Sequence, residues 1–383
     1  MKKEASISEL GLGCYALSGV YGEVDKDRFR ETIKRAKNLG ITLFDTAETY
    51  GEEAETLLGE MIKPFRDEVV ISTKIGAAAD PNTSPLRYEN VKASCERSLE
   101  RLQTENIDIY FVHFDDPRTE VEETIEALEE LKSEGKIKHY GVSHLPEKRI
   151  EEYFKKGDVS FCMMELSAAN RGSRKSLLPL CRNHGVKAIA FSVTGRGLLT
   201  GEINVSNSFE KGDIRNMDAL FKKERFRSGI RVTEKLGEVG ERYDKTPVQV
   251  GIRWVLEQEG VVSALTGTSS PEHLEENVGG AGWRLKEEDL EELESFFEKE
   301  DRILKKKEKE IVREILSEKT SKNISKDFED LVYVMEVTDD RNLANQEDYE
   351  PIFRKLLTLR KKDELERFDI EEAREKLKAI IEL

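Results

Sequence analysis

The sequence predicts an α/β fold, a closed (β/α)8 TIM barrel with an added C-terminal helical segment. Three observations carry this: short apolar runs alternate with amphipathic helical stretches from about residue 10 to residue 266, glycines stand between helix and following strand, and no Gly-x-Gly-x-x-Gly follows the first run. The last separates the barrel from an open doubly wound sheet, for which Gly11-Leu12-Gly13 alone is a weak signal.

Taken in order, the strand candidates are 10–14, 41–45, 69–73, 107–112, 137–142, 159–164, 186–191 and 261–266. Helical spacing fills 27–39, 53–62, 89–102, 121–133, 176–184 and 248–258 between them. Gly40, Gly135 and Gly185 each close a helix just ahead of a strand, where a left-handed backbone is wanted. The stretch 195–243 is too long for an ordinary strand-to-helix connection and reads as a site-shaping loop. A helix at 287–298 ends the barrel, placing it at 1–298 and a charged helical extension at 299–383. The extension keeps helical apolar spacing at Ile311, Ile315 and Leu316, at Leu331, Val334 and Met335, and at Ile352, Phe353, Leu356 and Leu357. Asp369 with Glu372 reads as a capping pair opening a last helix that carries Leu377, Ile380 and Ile381.

Composition narrows the function. Lys and Arg number 62 against 78 Asp and Glu, a net charge of -16, which argues against a nucleic-acid scaffold. Cys14, Cys95, Cys162 and Cys181 lie far apart without a C-x-x-C pair, so no metal site is signalled and reduced thiols are expected. No apolar stretch of about 18 residues occurs, and a cytoplasmic protein without membrane association is expected.

The chemistry gathers at strand ends. Asp45 ends the second run, Lys74 follows the third, His113 follows the fourth, and Tyr50 lies in the loop after Asp45. In a barrel these ends converge on the face where active sites are built. Singly, each residue has an ordinary structural role, as a cap, an edge charge, a loop anchor or a core histidine. Together they form a proton-transfer set. A phenol has a pKa near 10. A lysine ammonium beside it, kept charged by a carboxylate, is expected to lower that value. His113 adds a donor to a carbonyl. Such a set can protonate an oxygen whose carbon receives a hydride.

In their contexts these residues resemble the aldo-keto reductases. Phe44-Asp45-Thr46-Ala47-Glu48-Thr49-Tyr50-Gly51 resembles that family's D-T-A-x-x-Y-G motif, Ile71-Ser72-Thr73-Lys74 its lysine strand, and Asp108-Ile109-Tyr110-Phe111-Val112-His113 its histidine strand. Gly135 to Ser143 is similar to G-K-I-R-x-x-G-V-S-N, Gly195-Arg196-Gly197-Leu198-Leu199-Thr200-Gly201 to the phosphate loop, and the stretch from Gly267 to Asn277 to the adenosine-binding segment. The match runs over residues 8–297.

The resemblance implies reversible reduction of an aldehyde or ketone to an alcohol by NADPH or NADH, with Tyr50 as proton donor, Lys74 and Asp45 tuning it, and His113 aligning the carbonyl. It also implies that Ser143, His144 and Met163 face the nicotinamide carboxamide and that Phe191 stacks on the ring. Ser192, Gly195 and Gly197 would approach the pyrophosphate, and Gly267, Thr268, His273, Glu276 and Asn277 the adenosine end. Departures from the pattern fall on cofactor grips: His144 replaces an asparagine and Met163 a glutamine, while Gly267 and His273 stand where a lysine and an arginine hold the 2'-phosphate in NADPH-selective relatives. Val193 and Thr194 replace a proline and an apolar residue ahead of the phosphate loop. The alternative reading is a cofactor-binding regulatory or assembly subunit acting through its extension, as a homo-oligomer or with a protein partner.

Overall fold

Eight parallel strands close on themselves in the computed structural model, which describes residues 6–76, 84–210, 212–341, 343–344, 346–362 and 364–381. They are β1 (Leu10–Gly13), β2 (Leu43–Asp45), β3 (Val70–Ile75), β4 (Ile107–Val112), β5 (Ile137–Val142), β6 (Phe161–Glu165), β7 (Lys187–Phe191) and β8 (Val261–Gly267). Each pairs with the next, and β1 pairs with β8 through Leu10↔Ala264 to Gly13↔Gly267. The helices of the chain are α1 (Lys26–Asn38), α2 (Glu52–Ile62), α3 (Tyr88–Leu102), α4 (Val121–Ser133), α5 (Glu147–Lys156), α6 (Gly172–Lys175), α7 (Leu177–His184), α8 (Lys223–Gly240), α9 (Pro247–Leu256), α10 (Pro271–Val278), α11 (Glu287–Ser317), α12 (Ile324–Arg341), α13 (Gln346–Lys361) and α14 (Arg367–Ile380).

Alternation along the strands sends Leu43, Val70, Ile109, Phe111, Phe161, Met163, Ile189 and Leu265 into one packed barrel core. Gly141 belongs to the same fit: a Cβ there would lie 2.5 Å from the Phe161 carbonyl oxygen and closer still to the Phe111 ring. β3 runs past its expected end at Thr73 because Lys74 and Ile75 go on pairing with Phe111 and Val112 of β4.

The chain divides into two compact units, residues 1–203 with 233–290, and residues 204–232 with 291–383. The division falls inside α8 and α11, so the expected break at residue 298 lies within a continuous helix. Residues 204–232 of the long loop belong with the extension, not with the barrel. In that second unit Ala219 joins Val312, Ile315, Leu331, Val334, Met335 and Leu377 in one apolar core. Buried carboxylates hold the loop segment to α11: Arg225 Nε donates to Glu308 at 2.6 Å and Arg231 Nη2 to Glu300 at 2.8 Å, while Arg231 also reaches Glu224 of its own helix at 3.0 Å. The last helix opens on a capping box of Glu366 and Asp369, so Asp369 is the third helical residue and not the cap. No helix among the described residues is long and apolar enough to cross a membrane.

Candidate active site

The parallel barrel delivers one residue from each of β2 to β8 to its mouth. Asp45 ends β2, Lys74 is the penultimate residue of β3, His113 follows β4, Ser143 follows β5, Glu165 ends β6, Phe191 ends β7 and Gly267 ends β8. Tyr50 reaches the same place from a short 3-10 helix, Glu48–Tyr50. Asp45, Lys74 and His113 are each at least 95% buried.

Lys74 is the hub. Its Nζ donates to Asp45 Oδ1 at 2.8 Å and Oδ2 at 2.7 Å, to the Thr46 carbonyl at 2.7 Å and to Tyr50 Oη at 3.2 Å. Ser72 Oγ donates to Asp45 Oδ1 at 2.7 Å. An ammonium has donors and no acceptor, so Tyr50 Oη receives a hydrogen bond from Lys74 and keeps its own proton for another partner. Burial pulls Lys74 toward neutrality, but Asp45 and the Tyr50 oxygen more than offset it and hold the ammonium above its ordinary range. Burial likewise raises the Asp45 carboxyl, against the pull of Lys74 and Ser72.

Tyr50 overturns one sequence expectation. Burial pushes its phenol up to about 12, and Lys74 moderates that rise without reversing it. The cation was expected to win; in a half-buried site beside the Asp45 charge, desolvation wins. The phenol is therefore protonated around neutrality, which is the form of an acid. His113 is held well below the ordinary histidine range by burial first, then by Lys74 and His144, and is neutral.

Rings wall the mouth. Tyr15 lies 4.9 Å from Tyr50, Phe114 stacks on His113 at 4.1 Å, and His144 lies 4.8 Å from Phe191, all between ring centroids. The His144 ring lies in the recess between those of His113 and Phe191, 5.6 Å and 4.8 Å away; desolvation there, with Lys74 and Arg196, holds its pKa low against the attraction of Glu165.

The expected cofactor residues fall into three groups. Ser143 is buried and its Oγ has no hydrogen-bond partner among the described residues. A lone buried hydroxyl at the mouth fits the carboxamide grip that the family pattern places there. Ser192, Gly195, Arg196 and Gly197 all have positive φ, from 52° to 90°, which folds the loop after β7 into a tight cradle of the kind that receives phosphate oxygens. Met163 packs in the barrel core with Phe161, Ile189 and Leu265 and, as a thioether in place of the family's glutamine, offers no polar grip.

At the adenosine end, Gly267 is exposed, Thr268 is engaged by the Ser270 N–H at 3.0 Å, His273 is exposed, Glu276 is half-buried and Asn277 is buried on α10. The structure adds a cation that sequence reasoning missed. Arg28 of α1 reaches Ser270, the cap of α10, at 3.3 Å and is ion-paired with Glu272 at 2.7 Å. Nothing in the local sequence around Arg28 signals this, because it depends on α1 packing beside α10. Also missed were Thr49 Oγ1, 3.3 Å from His113 Nδ1, and the ion pair of Glu165 with Arg196 at 3.0 Å. Alternation along β6 could have indicated Glu165, which shares the inward face of Phe161 and Met163.

The profile of the aldo/keto reductase family matches residues 9–298. The chain is 34% identical over 300 residues to the aldo-keto reductase YhdN of Bacillus subtilis (strain 168), across 76% of this chain and 90% of that one. It is 31% identical over 306 residues to the NADH-specific methylglyoxal reductase of Escherichia coli (strain K12), across 75% and 93%. The solved glycerol dehydrogenase AKR11B4 from Gluconobacter oxydans superposes with a TM-score of 0.70 at 27% identity, across 78% of this chain and 94% of that one.

Proposed function

The chain belongs to the aldo/keto reductase family and carries out NAD(P)H-dependent reduction of an aldehyde or ketone to an alcohol; we propose that Tyr50, Lys74, Asp45 and His113 perform it on a small carbonyl compound. The observation that carries the assignment is the Lys74 to Tyr50 hydrogen bond, 3.2 Å, with Tyr50 accepting. It occupies a lone pair of the phenol oxygen and leaves the phenol proton for the substrate.

When bound, the reduced nicotinamide supplies the hydride. The residues of the chain supply the rest. Neutral His113 and the Tyr50 hydroxyl bind the carbonyl oxygen as donors, and Tyr50 releases its proton as charge grows on that oxygen. Lys74, fixed by Asp45 and the Thr46 carbonyl, stabilises the phenolate left behind. In the reverse direction the phenolate accepts the alcohol proton. Tyr15, Phe114 and His144 narrow the mouth and shield it from water. Methylglyoxal and glycerol, named for two of the relatives, are both small and polar, which supports a small substrate.

Cofactor selectivity rests on Arg28. It is the cation at the start of α10, and its engagement by Glu272 supports a modest preference between NADPH and NADH. The four cysteines are free and buried, which supports a reducing, cytoplasmic setting. The helical extension, with its own core, supports a surface for self-association or for a protein partner.

Oxidation of NADPH and of NADH, followed by absorbance across a panel of small aldehydes and ketones, tests this reading. Turnover with at least one small carbonyl is expected, with both nicotinamides serving. A protein that binds the cofactor and turns over none of the panel would instead be a cofactor-binding regulatory subunit.

A further inference from the structure

Thr49 is a residue that the reductase reading leaves unused. It precedes Tyr50 on the same 3-10 helix, is exposed in the mouth, and places Oγ1 3.3 Å from His113 Nδ1. No other hydrogen bond of Thr49 Oγ1 occurs among the described residues. The residue is otherwise held by its surroundings: the backbone N–H of His113 donates to the Ile75 carbonyl at 2.6 Å, the ring stacks on Phe114, and its pKa is depressed so that it carries one ring proton rather than two.

A neutral imidazole has one N–H and one bare nitrogen, and the partner of one nitrogen decides which form the other takes. A carbonyl oxygen can only accept. For His113 to serve a carbonyl through Nε2, the proton must sit on Nε2 and Nδ1 must be bare. A bare Nδ1 needs a donor beside it, and the Thr49 hydroxyl is the donor within reach. With valine there, either ring form would be equally unsupported.

We propose that Thr49 is a positioning residue that donates to His113 Nδ1, fixes the Nε2–H form of the imidazole and so presents a hydrogen-bond donor to the substrate carbonyl. The inference rests on the reductase reading for its consequence, but its structural content stands apart from turnover. The same helical turn thus carries the acid, Tyr50, and the group that sets its partner donor, Thr49.

The test is a long-range proton–nitrogen correlation spectrum of the full chain labelled at its five histidines, with the His113 signals identified by their loss in His113→Asn. In the wild-type protein His113 should be in the Nε2–H form alone. Thr49→Val should convert it to a mixture or to the Nδ1–H form, lower kcat by roughly three- to ten-fold, and leave the cofactor dissociation constant unchanged by fluorescence titration. Thr49→Ser should restore both the ring form and the rate. An Nδ1–H imidazole in the wild type, or an unaltered Nε2–H form in Thr49→Val, would overturn the proposal whatever the rate does. A wild type inert toward every carbonyl while its His113 signals respond to Thr49 would instead sink the reductase reading and leave the ring-form assignment standing.

Discussion

A phenol asked to give up a proton sits here in surroundings that resist its ionisation. Tyr50 is pushed up to about 12 by burial, with Lys74 working against that rise at 3.2 Å. In the acid role proposed for it, Tyr50 is therefore protonated across the neutral range, and its phenolate would be reached only as charge develops on the substrate oxygen. Tyr50→Phe should lower turnover by roughly a hundred- to ten-thousand-fold, with cofactor affinity nearly unchanged by fluorescence titration; near wild-type turnover would remove Tyr50 from the acid role. Since the donor must be the protonated form, carbonyl reduction should lose its Tyr50 contribution only as pH nears 12, while alcohol oxidation should gain as pH rises. His113 carries the opposite sign into stability. Its folded pKa lies below the 6.5 of an ordinary histidine, so the unfolded chain takes up the proton first as pH falls. The stability its neutral ring contributes is full above 6.5 and is lost as pH drops toward the folded value. His113→Gln should flatten that acid-side fall, as followed by melting temperature against pH.

Among the elements, the loop after β7 has the most demanding backbone. Gly197 has φ 90° and follows Arg196 at 52°, so the cradle depends on left-handed geometry that a side chain opposes. Gly197→Ala should weaken cofactor binding by roughly ten-fold, the equivalent of 1–2 kcal/mol of local strain, and leave the barrel's melting temperature little changed. An unaltered dissociation constant in that variant would show that the loop does not form the phosphate cradle. The strands show how far pattern carries. β4 and β5 have the bounds expected from their apolar runs, but β3 extends through Lys74 because pairing with β4, not composition, sets its end. The cap of the last helix moved for a similar reason. Glu366 and Asp369 make the reciprocal bonds, a pairing that Asp369 and Glu372 only imitate in spacing.

On the scale of the whole molecule, the second unit takes a piece of chain from between β7 and α9. Lys222 donates to Glu329 at 2.9 Å, Lys223 pairs with Asp330 at 2.8 Å and Arg225 with the buried Glu308 at 2.6 Å. Removing one partner of a buried pair such as the last costs about 3–5 kcal/mol. A chain ended at Glu298 keeps β1 to β8 and all four proton-handling residues but loses every one of those carboxylates, and it ends inside α11. It should still bind a nicotinamide cofactor. Trypsin should cut it within residues 204–232 far faster than it cuts the full chain, because the basic side chains there lose their partners and the backbone its cover. Equal cleavage of the two would mean that the segment does not depend on the extension. Failure of the shortened chain to bind cofactor while folded by circular dichroism would make the extension part of the site.

What the sequence determined by itself is what local pattern and chain order encode. Alternating runs and helical stretches indicate a parallel α/β sheet, the missing Gly-x-Gly-x-x-Gly favours the closed barrel, and such a barrel brings Asp45, Lys74 and His113 to one mouth because they stand at the same end of neighbouring strands. The tertiary structure alone decided the quantities that depend on burial and on contacts between distant residues. It set the sign of the Tyr50 shift, since desolvation is a property of the filled mouth and not of the Asp45, Lys74 and Tyr50 triplet. It sent Met163 into the core, set Thr49 beside His113 and brought Arg28 to α10. It also joined Ala219 to the Glu336 carboxylate and 204–232 to the extension. Those partners are separated by long stretches of chain, and a pairing that is made only when the chain closes leaves no periodicity behind to be read.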